Sequence, residues 1–502
     1  MEPEKVLDEI LYILWTGAPW RSLNAKGASH YFYRVLCQYR CPMSIAVIRR
    51  TFRIKDNELL SRRPGAFVCF IDETRKPWEP NKFAYSYHQF LCLLCAIKDH
   101  KKDLNELGIE LYVVPTSDLK KSLYDLQKSS SINHVMVDVD RDPAFWSFDA
   151  SLKEVFNNTE FIETSTLAKW DDKDGKKVVS SYYDKGSAYT KVFDFFGERA
   201  RKAAKNHKYF KSFEVEDSAK IQIGLPTCNL KQLIIECVEK MKQQAPPMIP
   251  RIYDCSNDGV KACLRRALVG KKKGWSKPHT SPGVPVGSKS DDDNRNTSQL
   301  SMHMAIGTLS PHVFWKELEG CPSSQSSMRG QLLWREAFHA LSTNDKYWSN
   351  ADSSKGGFWS KYKKDGSLRY EWKEDALKME QWKFGKVPFA DDLNQAMTAL
   401  WQHGWIHHLQ RHLAASAMRW HIQNFWTEGE EWFRKTLVDH DSAVNRGNWM
   451  WLMGIAIDAR SRKYGIKNYV TKHLKEHPPG NISTDTTCFF DTRAAATRVP
   501  AP

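Results

Sequence analysis

The run from Trp405 to Met453 constrains this chain more than any other stretch. It reads WIHHLQRHLAASAMRWHIQNFWTEGEEWFRKTLVDHDSAVNRGNWMWLM. His408 and His412 are four residues apart, so on a helix they share one face. Asp439 and Asp441 follow, then Asn445. Trp426, Trp449 and Trp451 add large, oxidisable rings. A His pair at this spacing can be half of a zinc site. Here there is no HExxH, and no Cys or His partner stands at ligand spacing, so no metal is read from it. The other features alone also have ordinary readings: core aromatics and a solvated acidic turn. Their order in one segment is far more specific than any of them singly.

Composition narrows the classes. The 502 residues suffice for two or three domains with full cores, and 41% hydrophobic against 26% charged residues is a soluble globular balance. The formal net charge of +15 favours a polyanionic partner, nucleic acid before a membrane surface. Eleven cysteines, mostly without paired spacing, suit a reducing compartment. Cys92 and Cys95 form a CxxC inside the apolar run FLCLLCAI and read as core thiols on a helix. No apolar run approaches the roughly 20 residues that span a bilayer. The N-terminal MEPEKVLDEI lacks a signal-peptide pattern. The expectation is an intracellular monomer, nuclear in a eukaryote and otherwise cytoplasmic.

Periodicity divides the chain. Residues 1–42 read as a helical N-terminal extension, with VLDEILYILWTG closed by Gly17 and Pro19. From 43 to 167 strand and helix patterns alternate. Strands are expected from Ser44 and at Ala66–Ile71, Leu111–Val114, His134–Val139 and Glu160–Thr164. Helices are expected at Tyr85–His100 and Ser117–Lys128. That alternation predicts a parallel α/β sheet. No GxGxxG accompanies it, so no dinucleotide is read onto the sheet by that mechanism. Residues 168–225 are polar and Lys-rich and read as an interdomain connector. From 226 to 480 helical patterns dominate, and 481–502 reads as a disordered tail. The fold class is an α/β N-terminal parallel-sheet domain plus an all-α C-terminal domain. RRALVGKKKGWSKPH at 265–279 is strongly basic and reads as a phosphate-touching or solvated loop.

The stretch with His-His-Leu-x-Arg-His and Asp-x-Asp-x-x-x-Asn resembles the flavin-binding core of the photolyase/cryptochrome family. It is most similar to the branch of (6-4) photolyases and animal-type cryptochromes. GQLLWRE at Gly330–Glu336 is similar to a family helix, and Trp372 and Trp382 lie in a third family-like segment. The Arg50–Asn57 run is similar to the first strand-turn of the family's antenna domain. The resemblance covers about residues 44–475.

That resemblance implies an FAD in the helical domain and leaves any antenna pigment undetermined. It implies that Thr297, Ser298, Leu300 and Ser301 hold the phosphates, and that Asp439 and Asp441 flank flavin and adenine. Arg411 is expected to pair with Asp439, since a buried carboxylate needs a partner. Asn445 would face flavin N5, with Gln331, Arg335 and His408 also at the cofactor. Trp449, Trp426 and Trp372 match the family's three-tryptophan electron chain. Gln331, Trp334, His408 and His412 match the lesion pocket, with His408 as proton donor and His412 as its support.

The implied function is light-driven repair of UV-damaged DNA, most specifically of (6-4) photoproducts, on an extruded base. The competing class is a cryptochrome that signals through protein partners without repair. A family member that has lost activity is the third. Departures bear on substrate binding more than on flavin binding. Met302 stands where the family has Pro, Gly385–Asp392 replaces GxTGxPxxDA, and Arg419-Trp420-His421 replaces Arg-Gly-Asp.

Overall fold

The computed structural model describes residues 44–129, 132, 134–171, 189–210, 221–272, 300–319, 325–348 and 373–453. The expected helical extension at 1–42, the tail and the basic run beyond 272 lie outside them.

Five strands form one all-parallel sheet: β1 (Ser44–Val47), β2 (Ala66–Asp72), β3 (Leu111–Thr116), β4 (His134–Asp138) and β5 (Thr159–Ile162), in the order β3-β2-β1-β4-β5. The period of two along the strands explains the layering. Ala46, Ile48, Phe67, Cys69 and Met136 enter one apolar cluster, while Ile45, Val47, Ala66, Val68, Val135 and Val137 enter the other. Both faces are thus buried, as a parallel sheet requires. Helix α1 (Tyr87–Glu106) covers the first face with Phe90, Leu91 and Leu94. Helices α2 (Leu119–Ser129) and α3 (Trp146–Val155) cover the second with Leu123, Leu126, Phe148 and Leu152. Ser86 starts α1, its hydroxyl accepting the Gln89 N–H. The last strand begins at Thr159, one residue before the sequence suggests, and ends at Ile162.

The remaining elements are helical. They are α4 (Tyr189–Asn206), α5 (Leu230–Lys242), α6 (Asn257–Lys272), α7 (Ser301–Ile306), α8 (Pro311–Glu317), α9 (Gln325–Leu341), α10 (Ala376–Lys383), α11 (Asp391–His403), α12 (His408–Ala417), α13 (Trp426–Thr436) and α14 (Ser442–Met453). Short turns join some of them, and α12 runs into a π-turn at Met418–Ile422. The stretch read as a surface connector contains α4. Its Phe196, Ala200 and Ala204 sit in the helical core beside Leu333 and Ala337 of α9. Its Lys and Arg residues disguised an apolar stripe repeating every four residues. In contrast, α5 packs on α1 and joins the core of the α/β part.

Polar contacts tie the two parts together where the strands of the sheet end. Arg50, just past β1, reaches Asp140 at 2.6 Å and Asp441 at 3.3 Å. Gln89 donates to the His440 carbonyl at 2.7 Å, and Ser442 to Asp142 at 2.7 Å. Gly307 makes the approach possible. Its φ is +89°, and a Cβ there would lie 1.6 Å from the Arg50 carbonyl oxygen. No other residue type fits.

Candidate functional site

Two helices frame a hollow in the helical part, and one loop supplies its charge. Helix α12 presents His408, Arg411, His412 and Ala415, all within the i, i+3, i+4, i+7 face of one helix. Helix α14 presents Asn445, Asn448, Trp449 and Leu452 by the same rule. The α13–α14 loop carries Asp439 and Asp441, and α9 contributes Gln331, Trp334, Arg335 and Phe338. Together they line a cavity of about 410 Å³, within the size range of small-molecule sites.

The charges are locked. Arg411 Nη2 donates to both oxygens of Asp439, at 3.1 and 2.8 Å, and Ser301 donates to the same carboxylate at 2.6 Å. Asp441 meets His339 at 3.1 Å, Arg50 at 3.3 Å and Arg335 at 3.4 Å. It also caps α14, accepting the Val444 N–H at 3.2 Å. Burial alone would raise the Asp441 carboxyl, but His339, Arg50 and Arg335 hold it well below the usual carboxylate range. Asp441 therefore keeps its negative charge at the cavity wall. The same burial pushes His339 down despite its carboxylate partner.

The histidine face is different. Burial, then the Arg411 cation, lower His408 to about 4, so its ring is neutral near pH 7. Its Nε2 is buried with no hydrogen-bond partner. The His408 ring lies 4.2 Å from His407 and 5.8 Å from His412, and His412 lies 5.6 Å from Trp451. Asn445 donates one amide hydrogen to the Glu430 carbonyl at 3.1 Å, which fixes its plane.

The structure places the sequence candidates unevenly. Gln331, Trp334, Arg335, His408, Arg411, His412, Asp439, Asp441, Asn445 and Trp449 share the cavity wall. Ser301 reaches it through Asp439. Leu300 does not line it and is packed in the helical core, where an apolar side chain belongs. Thr297, Ser298 and Trp372 lie outside the described residues. Trp426 is buried but is not on the wall, and the Arg446 guanidinium lies 5.3 Å from its ring. The rings touching Trp449 are Phe433 at 5.1 Å and Trp382 at 6.3 Å. Sequence reasoning missed Phe338, His339 and Asn448. Helical spacing from Trp334, Arg335 and Asn445 would have found them.

A cavity walled by ion-paired aspartates, an amide and indoles defines a site for a large polar cofactor with a flat ring. The comparisons give that class its family. Residues 328–481 match the family model "FAD binding domain of DNA photolyase". A deoxyribodipyrimidine photo-lyase of Agrobacterium fabrum is 30% identical over 200 residues, covering 38% of this chain and 36% of that one. A (6-4) DNA photolyase of Arabidopsis thaliana is 33% identical over 166 residues, covering 31% and 28%. The chain thus spans about a third of the length of these curated relatives. The crystal structure of a Synechocystis cryptochrome shares the fold, with a TM-score of 0.65 at 18% identity over 90% of this chain and 93% of that one. Over residues 328–481 the helical part is an FAD-binding domain of the DNA photolyase type, and the chain is similar to photolyases and cryptochromes.

The residues fit that cofactor. The wall offers cations for phosphates in Arg335 and Arg411, anions for ribose hydroxyls or ring N–H groups in Asp439 and Asp441, and Trp449 and Phe433 for an aromatic face. The unpartnered His408 Nε2 is a buried polar atom aimed at no protein group.

Proposed function

We propose that this chain repairs pyrimidine dimers in UV-damaged DNA under blue light, and that the lesion it takes is the (6-4) photoproduct. One observation carries the reading. Gln331, Trp334, His408 and His412 stand on the same cavity wall as Asp439, Asp441 and Asn445. One hollow therefore serves cofactor and extruded base together. When bound, FAD supplies light absorption and the electron that opens the adduct.

The chain's own residues do the rest. Arg411 and Asp439 neutralise each other, so the hollow presents hydrogen-bonding groups without net local charge. Asn445, pinned by the Glu430 carbonyl, offers its amide at a fixed angle. Trp334, half-buried, provides a stacking face for a base. Reversal of a (6-4) adduct returns a hydroxyl or amino group between bases, so a proton must be handed over and taken back. His408 and His412 stand where that transfer occurs. The resting His408 is neutral, and the anionic DNA backbone raises its proton affinity on binding. The formal charge of +15 supports a polyanionic partner. No helix among the described residues is long and apolar enough to cross a membrane.

The test is a repair assay on oligonucleotides carrying one defined lesion, with the flavin-loaded chain under blue light. The expected result is loss of the (6-4) lesion and little action on the cyclobutane dimer. His408→Asn should keep flavin absorbance and lose repair. A chain that binds flavin and is photoreduced, yet clears neither lesion, would overturn repair in favour of a cryptochrome-type signalling role.

A further inference from the structure

A second hollow of about 230 Å³ lies at the junction of the α/β and helical parts, between the loop after β1 and helices α6 and α8. Arg53 is its most unusual lining residue. The side chain is buried, and its guanidinium donates to three backbone carbonyls, those of Asp56, Gly307 and Thr164. None of the described carboxylates forms an ion pair with it. Burial lowers it to about 10, an effect that the more distant Asp56 and Asp138 only partly oppose. A cation buried without a paired anion is costly, and an anion placed in the hollow would relieve that cost.

The rest of the wall has the same bias. Lys55, Lys261 and Arg265 add three cations against the two carboxylates of Asp103 and Glu317. Asp103 is already engaged, accepting the Asn257 N–H at 3.4 Å, and Lys261 makes an exposed pair with Asp258. The lining also has an apolar part, Phe52, Val260 and Leu264, all buried. Pockets with one apolar wall and a few convergent polar groups at a domain junction are where small ligands bind.

We propose that this hollow binds a small organic anion, a phosphate or carboxylate against Arg53, Lys261 and Arg265 with its apolar body against Phe52, Val260 and Leu264. Because Arg53 also holds Gly307 and Thr164 across the junction, occupancy braces the two parts of the chain.

The test uses the full-length, flavin-loaded protein. Phenyl phosphate, benzoate, inorganic phosphate and, as the cation of similar shape, benzylamine are titrated in by calorimetry, with melting temperature read in parallel. At least one of the two aromatic anions should bind one to one and raise the melting temperature, and the comparison between them names the head group. Benzylamine should do neither. The double variant Lys261→Glu/Arg265→Glu touches only the mouth and should weaken the anion by about tenfold or more. Arg53→Met should abolish binding; should it fail to fold, the double variant still decides. Flavin absorbance should stay constant through the titration. The proposal is overturned by absence of binding for both aromatic anions, by affinity unchanged in the double variant, by equal binding of benzylamine, by inorganic phosphate binding as tightly as phenyl phosphate, or by release of flavin.

Discussion

Two regions of this molecule bury aspartates against arginines, and they do opposite things with them. At the C-terminal end of β1, Asp138 is fully buried. It accepts the Arg49 N–H at 2.9 Å, the Arg50 N–H at 2.6 Å and the Thr51 hydroxyl at 2.7 Å. The Arg49 guanidinium turns back to Asp149 at 2.6 Å and lies 4.9 Å from the Phe145 ring. This is the point where strand order reverses, the customary place for a ligand in such a sheet. Here the chain's own side chains fill it. In the helical part, Asp439 and Asp441 are equally well paired, yet they stand at the edge of a cavity of about 410 Å³. The lesson is that satisfied charge does not distinguish a lock from a site. The space left beside it does.

Substitutions can break that contrast, starting where the effect is largest. Asp138→Ala strands the buried Arg49 and Arg50 N–H groups and the Thr51 hydroxyl, and removes one of the two carboxylates beside the Arg49 guanidinium. A loss of roughly 3–5 kcal/mol is expected in urea or thermal unfolding. Flavin affinity per folded molecule should be unchanged; a selective loss of flavin would erase the distinction between lock and site. Arg411→Met should do the reverse. Its partner Asp439 keeps the Ser301 hydroxyl, so stability should fall by about 1–3 kcal/mol while flavin content, read as absorbance at the flavin band against 280 nm, drops sharply.

Acid provides a third probe. His88 and His440 are lowered to about 4, and His100 to about 3, in each case chiefly by burial. Each is neutral in the fold and takes a proton more readily when unfolded. Stability should therefore be flat above about pH 6.5 and fall as pH drops toward 4, each histidine adding about 1.4 kcal/mol per pH unit. Asp441 works in the same direction only lower down, because its depressed carboxyl loses its stabilising effect below the unfolded value of about 4. Urea titrations at pH 7, 6 and 5 measure this; equal midpoints would mean the histidines are already charged in the fold.

The smallest change should come from His100→Leu. Both ring nitrogens of His100 are buried without hydrogen-bond partners, and the ring is edge-on to Phe52 and Phe67. Removing an unsatisfied polar group should stabilise by about 1 kcal/mol and reduce the acid slope. A destabilised variant would show that the imidazole has a partner in solution.

Much of this was legible without coordinates, because the determining forces are local. Apolar runs at Ala66–Ile71 and Leu111–Val114 placed strands, since short continuous apolar segments suit a sheet buried on both faces. Spacing put His408 and His412 on one helical face, and the single residue between Asp439 and Asp441 kept both in one loop. The α4 helix was not legible, because its Lys and Arg residues outweigh a narrow apolar stripe.

Only the tertiary structure could decide what those side chains meet. Arg50 reaches Asp441 across 391 residues of chain, and no periodicity reports such a contact. The expected sequence of rings, Trp449 to Trp426 to Trp372, comes from resemblance. Packing puts Trp382 and Phe433 against Trp449 and a guanidinium over Trp426. The sequence determined which groups lie on which face of each helix and strand, because covalent geometry sets those periods. Whether opposing faces close on each other, as around Asp138, or stand apart to leave a cavity, as around Asp441, depends on how the elements pack in three dimensions.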